Sequence, residues 1–343
     1  MKLGIIGLPQ SGKRTIFSAL TGARGDDDNR GTKKDNRIAV VKVMDERIDF
    51  LSNMYNPKKT TYASVEYLLP SDTGSGSENM IWSQARVCDA LIHVVRNFPD
   101  FSGADPTSEN DFKKLEDEMI LNDLVVVEKR LERIEADLKR GKKPDEDEHN
   151  LVLACKELLD KGEPLRTNIE LASSPVLKGF TFLSAKPQLI IINNDDDDDS
   201  LPEWASGTKD LAIQAVRGRL EMEIAAMSGE DAEMFRAEYG IHESALDRII
   251  KDSYGILSLI SFFTVGEDEV KAWTIKKNTI ALEAAGEIHS DIQKGFIRAE
   301  VLSYEDLLKY GTFKDARSAG RVRLEGKEYV VEDGDIINYR FNV

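Results

Sequence analysis

Cysteine and histidine are scarce in this chain. Its 343 residues include two cysteines and four histidines. Cys88 and Cys155 each lie inside an apolar segment, which predicts two reduced thiols in a protein core rather than a disulfide or a metal site. We therefore expect a cytoplasmic protein.

Long hydrophobic runs are also missing. No apolar stretch approaches the roughly 20 residues that an α-helix needs to cross a bilayer. A glycine-containing motif begins at Gly7, which leaves no room before it for a signal peptide. We expect no membrane span.

Positive charge is in deficit. The chain has 46 Lys and Arg against 62 Asp and Glu, a formal net charge of −16. Proteins that hold nucleic acid by bulk electrostatics need an excess of Lys and Arg. DNA binding of that kind is excluded, and any RNA contact has to be local. Residues 261–343 hold 12 Lys and Arg against 15 Asp and Glu, so composition reveals no RNA-binding patch there.

The amino-terminal segment has the pattern of a phosphate-binding loop. A short apolar strand, residues 3–6, leads into Gly7, four further residues, Gly12 and Lys13, and a helical pattern follows. In this G-x-x-x-x-G-K spacing, successive backbone N–H groups and the lysine surround phosphate. The alternative is a strand-to-helix turn that happens to carry a lysine. The predicted phosphate contacts are Pro9, Gln10, Ser11, Gly12, Lys13, Arg14 and Thr15.

The metal-binding part of the motif is incomplete. The residue after the lysine is normally Ser or Thr, whose hydroxyl ligates Mg²⁺. Here it is Arg14, and a guanidinium has no lone pair to offer a cation. Either Thr15 takes the role, or Arg14 replaces part of the metal's charge, or metal-dependent turnover is lost.

Two loops that serve the γ-phosphate and metal in switch NTPases are also altered. Thr32 is the candidate in the loop after the first helix, although an Asp- and Gly-rich loop of this kind is usually just solvated. The D-x-x-G motif expected after the third strand is replaced by Asp72 and Gly74, one residue too close together. Asp72 joins Thr15 as a candidate metal ligand.

A base-binding candidate follows the buried strand 188–192. Guanine-specific P-loop proteins carry N-K-x-D at this place, and its Asp accepts two hydrogen bonds from guanine. This chain has Asn193, Asn194, Asp195 and Asp196. We predict base contacts from Asn193 and Asp196, and we interpret the remaining aspartates, 197–199, as a solvated loop rather than a cation site.

The rest of the chain alternates strands and helices, which predicts a mostly parallel sheet. His93 lies in an apolar strand and is interpreted as a core histidine. Residues 112–140 are predicted to form an amphipathic helix, with Val127, Leu131, Ile134 and Leu138 in a coiled-coil seam. A second apolar stripe after a turn predicts an antiparallel hairpin. This arm is either structural or a partner-docking lever. Residues 211–227, 231–238 and 244–254 are predicted helices. The last 80 or so residues are predicted to combine one helix, near 303–310, with short strands at 260–265, 272–275, 296–301, 321–324, 329–331 and 336–341.

Together these pieces resemble the Obg-like ATPases, the YchF group of P-loop switch proteins. The most specific matches lie in the carboxy-terminal region, which looks like that family's TGS domain. The matching segments there are 261–266, 272–275, 284–289, 294–300 and 331–335. Lys186-Pro187, the helical hairpin and the strand with residues 93–96 match as well, so the resemblance runs nearly end to end.

The resemblance implies an α/β fold: a P-loop NTPase domain with an inserted antiparallel helical arm and a C-terminal β-grasp (TGS) domain. The expected boundaries are 1–110 and 166–258 for the nucleotide domain, 111–165 for the arm and 259–343 for the TGS domain. It also implies ATP preferred over GTP, because the family carries N-x-x-E, a pattern that Asn193 and Asp196 follow with Asp for Glu. Ribosome or RNA binding through the TGS domain and the arm is a further implication.

The departures from the family pattern affect hydrolysis more than binding. Arg14 replaces the family's P-loop Ser, the D-x-x-G segment is missing or shortened, and Pro99, Asp100 and Phe101 stand where the family has a loop histidine. Our leading hypothesis is an ATP- or GTP-binding switch protein of translation or stress regulation. The alternatives are a pseudo-NTPase that binds nucleotide without turnover, and a ribosome or RNA adaptor with a vestigial nucleotide site.

Overall fold

The computed structural model describes residues 1–22, 36–71, 77–206, 211–227, 229–239, 241 and 244–342. They divide into two compact units. One comprises residues 1–40 and 66–252, and the other comprises residues 41–65 together with the chain from 253 onwards. Thr32, Asp72 and Gly74 lie outside the described residues.

Strands and helices alternate through most of the chain. The strands are β1 (Lys2–Ile6), β2 (Arg37–Lys42), β3 (Lys59–Thr61), β4 (Ser64–Leu69), β5 (Ala90–Asn97), β6 (Gln188–Asn194), β7 (Ala212–Val216), β8 (Leu259–Thr264), β9 (Glu269–Lys276), β10 (Phe296–Ser303), β11 (Arg323–Glu325) and β12 (Asp335–Phe341). The helices are α1 (Lys13–Thr21), α2 (Glu46–Tyr55), α3 (Ser77–Arg86), α4 (Ser108–Lys139), α5 (Glu146–Asp160), α6 (Ile169–Ser173), α7 (Glu203–Ser206), α8 (Gly218–Ala225), α9 (Gly229–Glu238), α10 (Ala245–Ile256), α11 (Ala281–Ile288), α12 (Ser290–Lys294), α13 (Tyr304–Tyr310) and α14 (Phe313–Ser318).

The first unit is built on a six-stranded sheet with the order β2-β4-β1-β5-β6-β7. Neighbouring strands from β4 to β7 run parallel. All of β6 and most of β5 are buried, as expected for parallel strands covered on both faces. The mostly parallel sheet predicted from sequence is confirmed, and the carboxyl ends of β1, β5 and β6 meet at one edge.

The helical arm consists of α4 and α5. Val127 on α4 and Val152 and Cys155 on α5 are fully buried against each other's helix, and Arg130 donates to both oxygens of Glu148 at 2.7 and 2.6 Å. The predicted antiparallel hairpin is present. Leu138, which we placed in the seam, is instead 47% exposed, because it lies in the last turn of α4, beyond the buried contacts.

The second unit contains another six-stranded sheet, with the order β11-β10-β12-β8-β9-β3. Its central strands β12 and β8 are parallel, and β9 and β10 run antiparallel to them. α11 packs on one face through Ala281, Ala284 and Ala285. Parallel central strands with a helix across one face correspond to the β-grasp arrangement implied by the resemblance.

Residues 41–65 differ from our expectation, which placed them in the nucleotide domain. β3 pairs in parallel with β9, and Ile48, Leu51 and Ala63 are buried in a core with Phe263 and Ile336. The second sheet therefore gains its outer strand and part of its core from a distant part of the sequence.

Three local predictions were wrong. Residues 211–227 are not one helix, because residues 212–216 pair with β6 as strand β7 before α8 begins. Residues 329–331 are not a strand and contribute an isolated bridge from Val330 to Ile280. The carboxy-terminal region contains α11 to α14 rather than a single helix.

Both cysteines are free and buried, which confirms the predicted core thiols. Burial raises the pKa of each thiol to about 11. In the part of the chain that the structure describes, no helix is both long and apolar enough to cross a membrane.

Candidate nucleotide-binding site

The loop between β1 and α1 has the tight backbone that the glycines predict. Gly12 precedes the helix with φ of 92°, and Gln10 has φ of 66°. At Gly7 a Cβ atom would lie 2.5 Å from the carbonyl oxygen of Val94 and 2.6 Å from Oγ of Ser11. Only glycine fits such a close approach, so the loop packs directly on β5.

Helix α1 presents its amino terminus at this loop. The first four N–H groups of an α-helix have no acceptor within the helix, and its dipole favours anions there. No acidic residue lies in the first turn of α1, which leaves that preference intact. The Nζ atom of Lys13 donates to the carbonyl oxygens of Gly7 and Leu8 at 2.8 and 3.0 Å. The lysine thus lies across the concavity of the loop.

Asn193 ties this loop to helix α8. Its Nδ2 donates to the carbonyl oxygen of Ser11 at 3.0 Å, and its Oδ1 accepts from the backbone N–H of Gly218 at 3.1 Å. The side chain is 4% exposed. Both functional groups of the amide are therefore engaged with backbone, and Asn193 positions the loop.

A cavity of about 780 Å³ opens beside the loop. Most of the predicted site residues line it, namely Gln10 to Thr15, Asn193 and Asp196. Pro9 is exposed and is not among the lining residues, and as a proline it has no N–H to offer phosphate. The cavity lies at the carboxyl ends of parallel strands, where open α/β sheets usually bind ligands.

Several lining residues were not predicted from sequence. They come from the end of β5, from the loop after it and from α8, and they are Arg96, Phe98, Phe101, Arg219 and Met222. Phe101 is 97% exposed at this position. For Phe98 and Phe101 the signal in the sequence is their place just after a buried strand, since binding residues concentrate on loops at strand ends.

Asp196, which also lines the cavity, has an unpaired carboxylate oxygen. Its Oδ1 is buried without a hydrogen-bond partner, and its Oδ2 lies 3.8 Å from Nε of Arg219. Burial raises the pKa of Asp196. An orphaned acceptor of this kind favours a ligand that brings an N–H group.

Asn194 has a different role from the Lys that it replaces. Its Oδ1 accepts from Nδ2 of Asn97 at 2.9 Å, and its Nδ2 donates to the carbonyl oxygen of Ser200 at 2.7 Å. These bonds brace the aspartate loop against β5. Asn194 therefore shapes the end of the cavity that holds Asp196.

Of the two candidate magnesium ligands, Thr15 is described and Asp72 is not. Arg14 is exposed and Thr15 is half-buried. No group of three or more His, Cys, Asp or Glu side chains suited to a metal ion occurs among the described residues. Arg14 instead places a fixed positive charge beside the loop.

His93 is confirmed as a core residue. It is 1% exposed and stacks on Phe112 with ring centroids 5.4 Å apart. Burial, with further contributions from Arg166 and Lys13, lowers the pKa of His93 to about 3. The imidazole is neutral at physiological pH.

Comparison with known proteins decides the family. The chain is 40% identical to the ribosome-binding ATPase YchF of Bacillus subtilis, over 99% of each chain. The chain belongs to the YchF family. YchF from Escherichia coli O157:H7 is 32% identical over 100% of this chain and 99% of its own. Residues 259–342 also match the family YchF-GTPase_C, whose description is "Protein of unknown function (DUF933)".

Solved structures support the same assignment. The YchF GTPase of Schizosaccharomyces pombe superposes with a TM-score of 0.83 at 29% identity, covering 99% of this chain and 97% of that one. A GTP-binding protein from Pyrococcus horikoshii OT3 gives a TM-score of 0.64 at 18% identity over the whole of both chains, which supports the fold alone. The predicted family and the predicted α/β fold with its helical insertion are confirmed.

Proposed function

We propose that this YchF protein binds a purine nucleoside triphosphate in the cavity beside the phosphate loop, with ATP preferred over GTP. The observation that carries the proposal is the convergence of Gln10 to Thr15 and Asp196 on one cavity of about 780 Å³, within the usual range of about 300–1,000 Å³ for small-molecule sites. Lys13 and the amides of the loop hold the β- and γ-phosphates.

The base lies toward Asp196 in this arrangement. The buried and unpaired Oδ1 of Asp196 accepts a hydrogen bond from an amino group on the base. The preference for ATP is supported by the N-x-x-E pattern of the family, which Asn193 and Asp196 follow with a shorter acid. Asn193 acts indirectly, by holding Ser11 and Gly218 in register.

Association with the ribosome is the second part of the proposal. The Bacillus and Escherichia relatives are named ribosome-binding ATPases and match over nearly their full length. We place this protein in the cytoplasm, where its nucleotide state regulates translation or a stress response.

Calorimetric titration of ATP and of GTP, each with Mg²⁺ and then with a chelator, tests the nucleotide site. We expect tighter binding of ATP, and loss of binding in Lys13→Ala because the lysine supplies the charge nearest the phosphates. Unchanged affinity in Lys13→Ala would overturn the assignment of the site. If no nucleotide binds while the protein still co-sediments with ribosomes, it is an adaptor with a vestigial site.

A pseudo-NTPase is the second candidate, and the position of Arg14 favours it. An exposed guanidinium follows Lys13 where P-loop enzymes carry a magnesium ligand. In this version Arg14 replaces part of the metal's charge and turnover is negligible. Single-turnover hydrolysis with and without Mg²⁺ separates the candidates, since metal-independent binding without product indicates the pseudo-NTPase.

A further inference from the structure

One face of the second sheet carries a group of arginines. β10 and β12 run antiparallel, with Arg298 directly opposite Arg340 and Glu300 directly opposite Asn338. Alternate residues of a strand share a face, so these four side chains lie on the same side of the sheet. The opposite side packs into the core under α11. We call Arg298, Arg340 and the neighbouring Arg317 of α14 the arginine face.

A single buried carboxylate organises this face. Glu300 is 4% exposed and accepts hydrogen bonds from Nη2 of Arg317 and Nδ2 of Asn338, each at 3.2 Å, and from Nη2 of Arg340. The side chains of Arg317 and Arg340 are each 56% exposed. Glu300 therefore holds two guanidinium groups in place while leaving them open to solvent.

Arg298 adds a positive charge that the fold does not neutralise. It is exposed, and none of the described residues forms an ion pair with it. Its position directly opposite Arg340 is unfavourable, because like charges across antiparallel strands repel. One arginine would neutralise Glu300. The face carries three positive groups and one negative group.

The chemistry of the face points to phosphate groups. Guanidinium groups bind phosphate through two parallel hydrogen bonds, and they are preferred over lysine where that geometry matters. Leu324, opposite Glu300 on β11, is 59% exposed, and the half-buried ring of Phe313 lies beneath the guanidinium of Arg317, 5.5 Å from the ring centroid. The guanidinium groups of the face are therefore suited to a nucleic-acid backbone, whose phosphate contacts carry no sequence information.

We propose that the arginine face binds the phosphodiester backbone of RNA without sequence preference. The inference rests on the ribosome association proposed above, to which it assigns a contact surface. The arginine face is also the local basic patch that any RNA contact of this acidic chain requires. The composition of residues 261–343 does not reveal it, because carboxylates outnumber basic groups there although three arginines lie together on one side of the sheet.

The test is binding of a short, fluorescently labelled single-stranded RNA to the full-length protein, followed by anisotropy at several salt concentrations. Arg298→Gln is the informative variant because no ion pair is broken. We expect its affinity to fall about fivefold, the upper range for an exposed ion pair, and the slope of log K against log salt to fall by about 0.7. Arg298→Glu weakens binding further.

Lys294→Gln is the matched control. It removes one exposed positive charge from α12, whose Ile292 packs on the other side of the sheet, and we expect it to bind RNA like the wild type. Equal loss in Arg298→Gln and Lys294→Gln would overturn the proposal, as would failure of the wild type to bind RNA. Binding of polyglutamate through Arg298, with RNA unbound, would also overturn it and assign the face to acidic peptides.

Nucleotide titration of the same samples keeps this inference separate from the proposed function. Loss of RNA binding with normal nucleotide affinity in Arg298→Glu supports the arginine face. Failure of the wild type to bind any nucleotide, with RNA binding still dependent on Arg298, overturns the nucleotide assignment and leaves the arginine face supported.

Discussion

The side-chain amide of Asn193 donates a hydrogen bond to the backbone carbonyl of Ser11 at 3.0 Å. It thereby joins the end of β6 to the centre of the phosphate loop, two segments that are 182 residues apart. Its Oδ1 is equally occupied by the N–H of Gly218. One side chain therefore braces both the loop after β1 and the start of helix α8.

Asn193→Ala should weaken both the fold and nucleotide binding. The change leaves the Ser11 carbonyl and the Gly218 N–H without a partner in a buried region, at a cost of about 1–3 kcal/mol for each group. We expect the free energy of unfolding in urea to fall by about 2–6 kcal/mol and ATP affinity to fall with it. Asn168→Ala is the control, because Asn168 caps the remote helix α6. It should cost about 1 kcal/mol and leave ATP affinity unchanged.

Gly12→Ala should disable the site through the same brace. Gly12 has φ of 92°, and a Cβ atom there would collide with Nδ2 of Asn193. The strain and the clash together should cost about 2–4 kcal/mol and abolish nucleotide binding. Gly22→Ala has a comparable backbone conformation, φ of 62°, with no atom within 4 Å of the added Cβ. Equal loss of nucleotide affinity in both variants would contradict this account.

Acid should destabilise the protein through His93. Its pKa is lowered to about 3 in the folded state, from about 6.5 in the unfolded chain. The unfolded state alone takes up this proton as pH falls from about 6.5 toward 3, so stability decreases over that window by about 1.4 kcal/mol per pH unit.

His93→Phe isolates this effect, since Phe retains the stacking on Phe112 and does not titrate. Chemical denaturation of both proteins between about pH 7.5 and 5 should show the wild type losing about 2 kcal/mol more than the variant. The change in side-chain volume shifts the free energy of unfolding by the same amount at every pH, so it does not alter this comparison. Parallel curves would mean that His93 is protonated in the folded protein or reaches solvent.

Patterns local in sequence were sufficient to predict most of one wall of the cavity. The tight loop after β1 was predicted because its glycines and Lys13 lie in one short stretch, and the backbone at Gly7 and Gly12 has the close approaches that this pattern implies. The bracing role of Asn193 was not found, because its two partners, Ser11 and Gly218, belong to other segments. An Asn that faces a base and an Asn that braces a loop have the same neighbours in sequence.

Prediction of the fold from local sequence was limited in the same way. Strand β7 was predicted as helix because residues 211–227 are rich in helix-favouring residues, and pairing with β6 overrides that tendency. The three residues of β3 carry no pattern that identifies their partner, β9, more than 200 positions away. Composition likewise missed the arginine face, since it counts charges without placing them.

Leu51→Ala should test whether residues 41–65 are an integral part of the second unit. Leu51 is fully buried in a core with Phe263 and Ile336, so its truncation should cost about 2–5 kcal/mol. We expect amide hydrogen exchange to accelerate in β8 and β12 while β5 and β6 stay protected. Leu138→Ala, at a 47% exposed position on the arm, is the control and should leave β8 and β12 unchanged. If Leu51→Ala accelerated exchange in β5 and β6 and not in β8 and β12, residues 41–65 would instead stabilise the nucleotide domain, as the order of the chain first suggests.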